Sequence, residues 1–434
     1  MTNTIDGDLL TDQTTEIATT VLPEDTPVGE NVFYSGTRLP IREGDASLRP
    51  KDRAQYPVPP NSLLWKYMGD PFVLFVSGQR TAIIENMWPQ LGQGVSDHSM
   101  VVKSKDPAVQ AQRAKSSQKT INGVLYAAPE DAQKYGIQVR NFHKSIKGDM
   151  PGGHHYHALN AETFYWAHVT FFEAIYRASD LGVLQRPLTR DEKAQIFEES
   201  KEWFSLFGVD DSAQPQTYDE FESYLQNVFD SELVNSKLAQ YTVGLARQTL
   251  RVEKFVPEKY HWFAKPLAPR LRWFTKMITI AGLEPNLKRI LEVDDIWSTW
   301  DERRYRMFVA FLRTTRNGLR RTHAPLRYRY APAAAAAFAR EGIDPDQITL
   351  ESARKALAQA RADRARAEHA AASTTVLDAA LDATEADTCA KCKRHLEPCE
   401  ECAGTGRVDG EHCDVCHGAR FGCRVHHADW RVAA

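Results

Sequence analysis

Between about residues 62 and 330 the apolar positions recur at intervals of three and four, the period of helices that bury one face. The punctuation is that of helix ends. Thr189-Arg190-Asp191-Glu192 after Pro187, and Thr217-Tyr218-Asp219-Glu220 after Pro215, both carry Thr-x-x-Glu, in which hydroxyl and carboxylate satisfy the first free amides of a helix. The first of these helices is expected to run to Gly208, and a third to start at Asn160 with Glu162 in its first turn. Phe164, His168, Phe171 and Ile175 then fall on one side of it. Alternating β-branched runs are few, and Phe72 to Val76 is the best candidate for a short strand. The pattern predicts a mainly α protein whose folded core is a single multi-helix domain over residues 61–330.

The flanks differ from the core. Residues 1–60 are rich in Thr, Asp, Pro and charge without either period, which reads as a mobile arm laid over the body. Residues 331–385 shift to Ala and Arg, a helix-prone composition with too few large apolar side chains for a core of its own; a helical linker, or a helix lying on the body, is expected. All seven cysteines fall in the last segment, residues 386–434.

Length and charge narrow the picture. At 434 residues, 42% hydrophobic and 26% charged, the chain can bury one sizeable core and a smaller appendage. No stretch approaches the ~20 apolar residues of a spanning helix. Met1 to Thr20 is acidic and polar where a secretory signal would be basic and then apolar, so a cytoplasmic protein with reduced cysteines is expected. A net charge of -3 gives no global reason to expect nucleic acid. The positive charge is local. Arg303, Arg304, Arg306, Arg313, Arg316, Arg320, Arg321, Arg327 and Arg329 crowd a stretch with Phe308, Phe311 and Leu312 at helical spacing, an amphipathic helix with a solvated basic face. Peripheral contact with anionic lipid would use the same face.

The chemistry-bearing stretch runs from Gly69 to Tyr176. It contains Gly69-Asp70-Pro71, then Trp88-Pro89-Gln90-Leu91-Gly92-Gln93-Gly94-Val95-Ser96-Asp97-His98-Ser99, then Asp106-Pro107 followed by Arg113-Ala114-Lys115-Ser116-Ser117. Arg140-Asn141-Phe142-His143, Tyr156-His157-Ala158-Leu159-Asn160 and Trp166-Ala167-His168 complete it. In this order and spacing the motifs resemble the MpaB and latex-clearing rubber oxygenase catalytic family, helical proteins that hold haem b, over roughly residues 62–250. The resemblance implies dioxygen and an apolar small molecule, isoprenoid or otherwise unsaturated, as substrates. It places the axial ligand on His143, and the residues permit this: haem iron needs a neutral imidazole on a rigid helix beside apolar groups, and Phe142 and Ile146 flank this one. A core histidine satisfied by a carbonyl is the competing reading.

Arg113 and Ser117, four apart, share a helix face and match the family's distal arginine and hydroxyl pair, able to orient dioxygen or a propionate. A solvated helix face is the alternative. The family's rubber oxygenases place a lysine immediately before the distal hydroxyl residue; here Ser116 stands there and Lys115 one place earlier, which puts distal lysine ligation in doubt. Asp97 corresponds to the family's acidic residue upstream of the distal arginine, a proton acceptor or polarising group, or a cap for the turn after Gly94. His154, His155 and His157 offer a different chemistry, a non-haem metal on an extended segment, with Gly152-Gly153 as a mobile loop at its mouth. The aromatics from Trp166 to Tyr176 read as core.

Cys389-x-x-Cys392, Cys399-x-x-Cys402, Cys413-x-x-Cys416 and Cys423-x-x-His426 supply ligand pairs for two tetrahedral zinc ions, with His427 able to replace His426. Cys399 to Gly406 resembles the CxxCxGxG repeat of the cysteine-rich domain of DnaJ chaperones, and Cys413 to Gly418 a truncated copy. By analogy with the nested pairing there, the inner two knuckles share one metal and the outer two the other. A helical scaffold that presents this tail to a protein partner is the reading that needs no haem.

Overall fold

A computed structural model describes residues 32–34, 37–40, 45–48, 57–99, 103–104, 107–151, 153–247, 258–264, 266, 268–367, 394, 396–403, 405–416 and 421–423. Two compact units divide the chain, Met1–Leu357 and Ala358–Ala434. The first is almost wholly helical.

Its opening helices are set by local chemistry. α1 (Leu63–Met68) starts where Ser62 accepts from Trp65 N, and the Glu199 carboxylate accepts from Leu63 N at 3.2 Å and Leu64 N at 2.7 Å. α2 (Pro71–Met87) starts at Asp70, whose carboxylate accepts from Phe72 N, with Pro71 in the first turn. This start overturns the strand expected at Phe72 to Val76, which lies wholly inside α2. A short apolar run does not distinguish strand from buried helix, and the Asp-Pro cap decides. Gly69 has its own reason: a Cβ there would stand 2.5 Å from Ala334 Cβ and 3.0 Å from Trp65 O. The Gly-Asp-Pro motif is therefore a packing junction and a cap.

α3 (Pro89–His98), α4 (Pro107–Tyr126) and α5 (Pro129–His143) follow, each with proline at its first position. Gly136 lets α5 close on the next layer, since a Cβ there would meet Leu206 O at 2.1 Å. A two-stranded antiparallel hairpin, β1 (Lys147–Met150) and β2 (His154–His157), aligns Gly148 with Tyr156 and Asp149 with His155. α6 (Ala161–Asp180) begins at Asn160, whose side chain accepts from Glu162 N and Thr163 N, as expected. Both expected capping boxes form, at α7 (Arg190–Ser205) and α8 (Tyr218–Asn227). Among the later helices are α9 (Lys237–Arg247), α10 (Ala268–Ile280), α11 (Pro285–Ile290), α12 (Thr299–Arg321) and α13 (Pro332–Glu341).

α2 is central and packs on α6, α9 and α10. At its middle Arg80, wholly buried, reaches Glu173 of α6 and Glu284 before α11, each at 2.6 Å; breaking one partner would leave a buried charge uncompensated. Around it lies an aromatic core in which Trp88 stacks on Trp166 at 5.7 Å and Phe197 on Phe221 at 4.7 Å. The Trp166 to Tyr176 aromatics belong to this core, with Phe171 at its margin. The Ala-rich stretch after Tyr330 opens as α13 and buries Phe338 edge-on against Trp65 at 5.7 Å. In the described part of the arm, Val32 and Phe33 are buried, and Lys237 N donates to Val32 O at 2.7 Å.

Glu85 is half-buried in α2, where its carboxylate accepts from the Thr170 hydroxyl at 3.0 Å, and desolvation pushes its carboxyl up to about 7. A raised carboxyl favours the neutral form in the fold. Its contribution is complete below the ordinary carboxylate range and is lost as pH rises through about 7. Thermal stability is expected to fall between about pH 5 and 8, and Glu85→Gln to recover roughly 2–3 kcal/mol at the alkaline end. Unfolding scans across that range check it.

Candidate active site and metal centre

His143 is the last residue of α5, and its ring folds back so that Nδ1 donates to Val139 O at 2.8 Å. That bond fixes the tautomer and leaves the Nε2 lone pair for another partner. The half-buried ring meets Phe142 edge-on at 5.4 Å and Phe164 of α6 at 5.8 Å. Burial, and then the positive charge of Arg113, hold the imidazole below its ordinary pKa against the pull of the Val139 carbonyl, so it is neutral at physiological pH. One turn earlier on α5, the Arg140 Nε is buried with no hydrogen-bond partner among the described residues.

α4 packs along α5, and Arg113 reaches across to it. The Arg113 guanidinium lies over the Phe142 ring at 4.7 Å, and Ser117, one turn on, is half-buried. Lys115 and Ser116 are exposed, so neither faces inward with Arg113.

Asp97 stands in the last turn of α3, not in a turn after Gly94, so the turn-cap reading fails because the helix continues through it. Its carboxylate accepts from the Tyr156 hydroxyl at 2.7 Å and from Gln93 Nε2 at 2.9 Å. Tyr156 is held between two glycines: a Cβ on Gly94 would approach the ring to 3.2 Å, and one on Gly148 would approach the hydroxyl to 2.9 Å. Burial, then the Asp97 hydrogen bond and charge, raise the phenol far above its usual range and keep it protonated. Tyr156 was not singled out from sequence; the glycines at 94 and 148 are its signal, but only in the folded chain do they converge.

The histidine cluster is a β-strand. His155 pairs through Nδ1 with Asp149 across the hairpin, in the open. His157 accepts from Leu159 N at Nδ1, 3.0 Å, and its ring also bonds the backbone of Lys144. The His157 Nδ1 is thus engaged by the backbone, and the three side chains form no metal-ligating group among the described residues. His168 is a core histidine, bonded to Ser200 O at 3.2 Å and driven by burial down to about 3. A cleft of about 310 Å³ opens elsewhere, at the start of α6, lined by Ser47, Asn160, Glu162, Asp210 and Ser212 among others. None of the expected site residues borders it, and its Ser47 hydroxyl donates to Asp210 at 2.7 Å.

In the second unit, Cys399, Cys402, Cys413 and Cys416 are buried and their sulfurs lie within 4.8 Å of one another. Cys399 and Cys413 sulfurs are 3.9 Å apart, Cys402 and Cys416 sulfurs 3.7 Å. Sulfurs around a tetrahedral metal at about 2.3 Å stand about 3.8 Å apart, while a disulfide needs about 2.05 Å. The knuckles meet because β3 (Glu397–Pro398) pairs with β6 (Phe421–Gly422), and β4 (Arg407–Val408) turns into β5 (Glu411–His412). Asp409 and Gly410, both at positive φ, make that tight turn. Gly406 N donates to Cys402 Sγ at 3.3 Å. The four-cysteine set fits a zinc module and is the one metal-ligating group among the described residues. Cys423 is buried; Cys389, Cys392, His426 and His427 lie outside the described residues.

A family model described as ER-bound oxygenase mpaB/B′/Rubber oxygenase, catalytic domain, matches residues 65–314, more than half of the chain. The chain belongs to this oxygenase family. No curated protein and no solved structure matches it. The oxygenase match spans α1 to most of α12, and so includes Asp97, Arg113, Ser117, Arg140 and His143, while the cysteine module lies beyond it. The protein is an oxidoreductase by family, for which a small-molecule substrate and dioxygen are implied. Among the described residues no helix is long and apolar enough to cross a membrane.

Proposed function

We propose that this oxygenase binds haem b through His143 and acts with dioxygen on an apolar substrate such as an isoprenoid or other unsaturated compound. One observation carries the reading: within the family-matched span, His143 is neutral, anchored through Nδ1 to Val139, flanked by two phenyl rings and left with Nε2 to give. The donor set fits the group. Arg140 offers a buried Nε without a partner among the described residues, and Arg113 a second guanidinium, both suited to propionates. Haem b, when bound, supplies the iron that activates dioxygen.

The chain's own residues do the rest. The Val139 carbonyl orients the imidazole and raises its donor strength. Phe164, buried at the margin of the core, shields one side of it from water, and Phe142 meets it edge-on from the exposed side. Arg113 carries positive charge toward the same place, and Ser117 supplies a hydroxyl on the same helix face. Asp97 acts through Tyr156: its carboxylate holds the phenol that ties the hairpin after His143 to α3. In the tail, Cys399, Cys402, Cys413 and Cys416 hold one structural zinc, and Cys389, Cys392, Cys423 with His426 or His427 hold a second.

The test is turnover of apolar unsaturated compounds under isotopically heavy dioxygen. Carbonyl products carrying the heavy atom are expected, and Arg113→Ala should lower kcat by about tenfold with the cofactor retained. Absence of any dioxygen-dependent product across isoprenoid and other unsaturated compounds would sink the reading.

A further inference from the structure

α12 has two apolar faces, and only one of them is buried. Tyr305, Val309 and Leu312 point into the core. On the opposite side Trp300, Met307 and Phe311 are 68%, 66% and 64% exposed. Their spacing of seven and four puts all three on one stripe of the helix. Phe311, which the sequence groups with Phe308 and Leu312, thus faces outward. Single exposed apolar residues are ordinary, but three large ones in line are a patch.

The exposed charges that α12 itself carries are mostly positive. Arg303 lies over the Trp300 ring at 5.7 Å, Arg304 over Trp273 at 5.9 Å, and Arg306, Arg313 and Arg321 are exposed along the same helix. The acids of α12 do not offset them outward. Asp301 is buried against Lys276 at 2.5 Å, and Glu302 neutralises Arg306 alone, at 3.2 Å. The inner arginines are different: Arg316 pairs with Asp70 at 2.5 Å and Arg320 with Asp346 at 2.5 Å, so they are structural and not part of a solvated face.

We propose that the outer face of α12 is a docking surface for anionic phospholipid. Tryptophan, methionine and phenylalanine enter the boundary between headgroups and acyl chains, while the arginine stems extend alongside and present guanidinium to phosphate. A second copy of the chain is a poor occupant, because a two-fold contact would set the same arginines against each other. The surface stands independently of the haem reading, although an apolar substrate dissolved in such a membrane would reach the enzyme by this route.

Flotation of the full chain with vesicles tests it, comparing phosphatidylcholine alone with phosphatidylcholine mixed with phosphatidylglycerol. The chain is expected to float with the anionic vesicles only, and binding should weaken as salt is raised. The combined variant Trp300→Ser, Met307→Ser, Phe311→Ser, all at exposed positions, should lower partitioning by at least about tenfold with an unchanged far-ultraviolet spectrum. Failure to bind anionic vesicles, or equal binding by the variant, overturns the proposal. So does a dimer that the variant dissolves while vesicles bind neither protein, which would assign the stripe to self-association.

Discussion

His143→Ala is expected to abolish dioxygen-dependent turnover, by at least about a thousandfold, which corresponds to on the order of 4 kcal/mol of transition-state stabilisation. The size follows from the chemistry of the position. His143 closes α5, its Nδ1 is committed to Val139, and alanine leaves nothing to present from that turn. The fold should survive, because the ring is half-buried at the margin of the aromatic core and not inside it. The fall in activity should therefore accompany loss of bound haem with no change in helix content. Imidazole added to the variant should restore part of both, since the missing group is a single neutral ligand. Val139 offers only a backbone carbonyl, so substitution of its side chain should leave the ligand in place. Activity measured alongside haem content separates this from a structural loss: a variant that keeps its haem and its turnover would contradict the assignment.

Cys413→Ser is expected to release one metal equivalent and to melt the second unit locally. Each of the four cysteines is buried, and among the described residues there the extended structure consists of two-residue strand pairs. Such pairs have no apolar core to hold them, so the metal supplies the folding free energy, on the order of 10–16 kcal/mol for structural zinc at neutral pH. Removing one thiolate forfeits a large part of that. Chelation of the wild type should do the same, and limited proteolysis should then cut within residues 397–423. Elemental analysis combined with proteolysis reads the outcome; a tail that stays resistant without metal would show that the cysteines fold it by packing alone. The oxygenase reading does not depend on this result, because the family match ends before the module begins.

Helix starts were legible where a side chain writes them locally. Thr189, Thr217 and Asn160 each cap the helix expected after them, because capping is a matter of the next three residues. The box at Ser298 and Asp301 that opens α12 lacks the usual sequence signal, because aspartate stands where that signal has Glu or Gln. The inner pairing of Cys399, Cys402, Cys413 and Cys416 was legible from the nested repeat. What depended on distant chain was not. Phe72 to Val76 looks like a strand until the Asp70 cap and its partner Arg316 are in place. Phe311 keeps helical spacing with Leu312 and Phe308, yet only the packing of α10 and α12 decides which of them faces out.

The site divides the same way. The order of motifs points to Arg113 and His143 as candidates, and the fold sets the Arg113 guanidinium over Phe142 beside that histidine. Asp97 is a candidate from its place in the motif order, but its partner Tyr156 lies in a histidine-rich string whose period points to metal binding. The glycines that cradle Tyr156 are 54 residues apart, at 94 and 148, and no local pattern links them.

The absorption spectrum of the full chain, expressed with adequate haem supply and recorded before and after dithionite and carbon monoxide, tests the central claim most directly. The account predicts a Soret band with b-type reduced features and a carbon monoxide shift in the wild type, lost or strongly displaced in His143→Ala. A wild type that stays colourless and carries only zinc, or one whose Soret band is indifferent to His143, would contradict it.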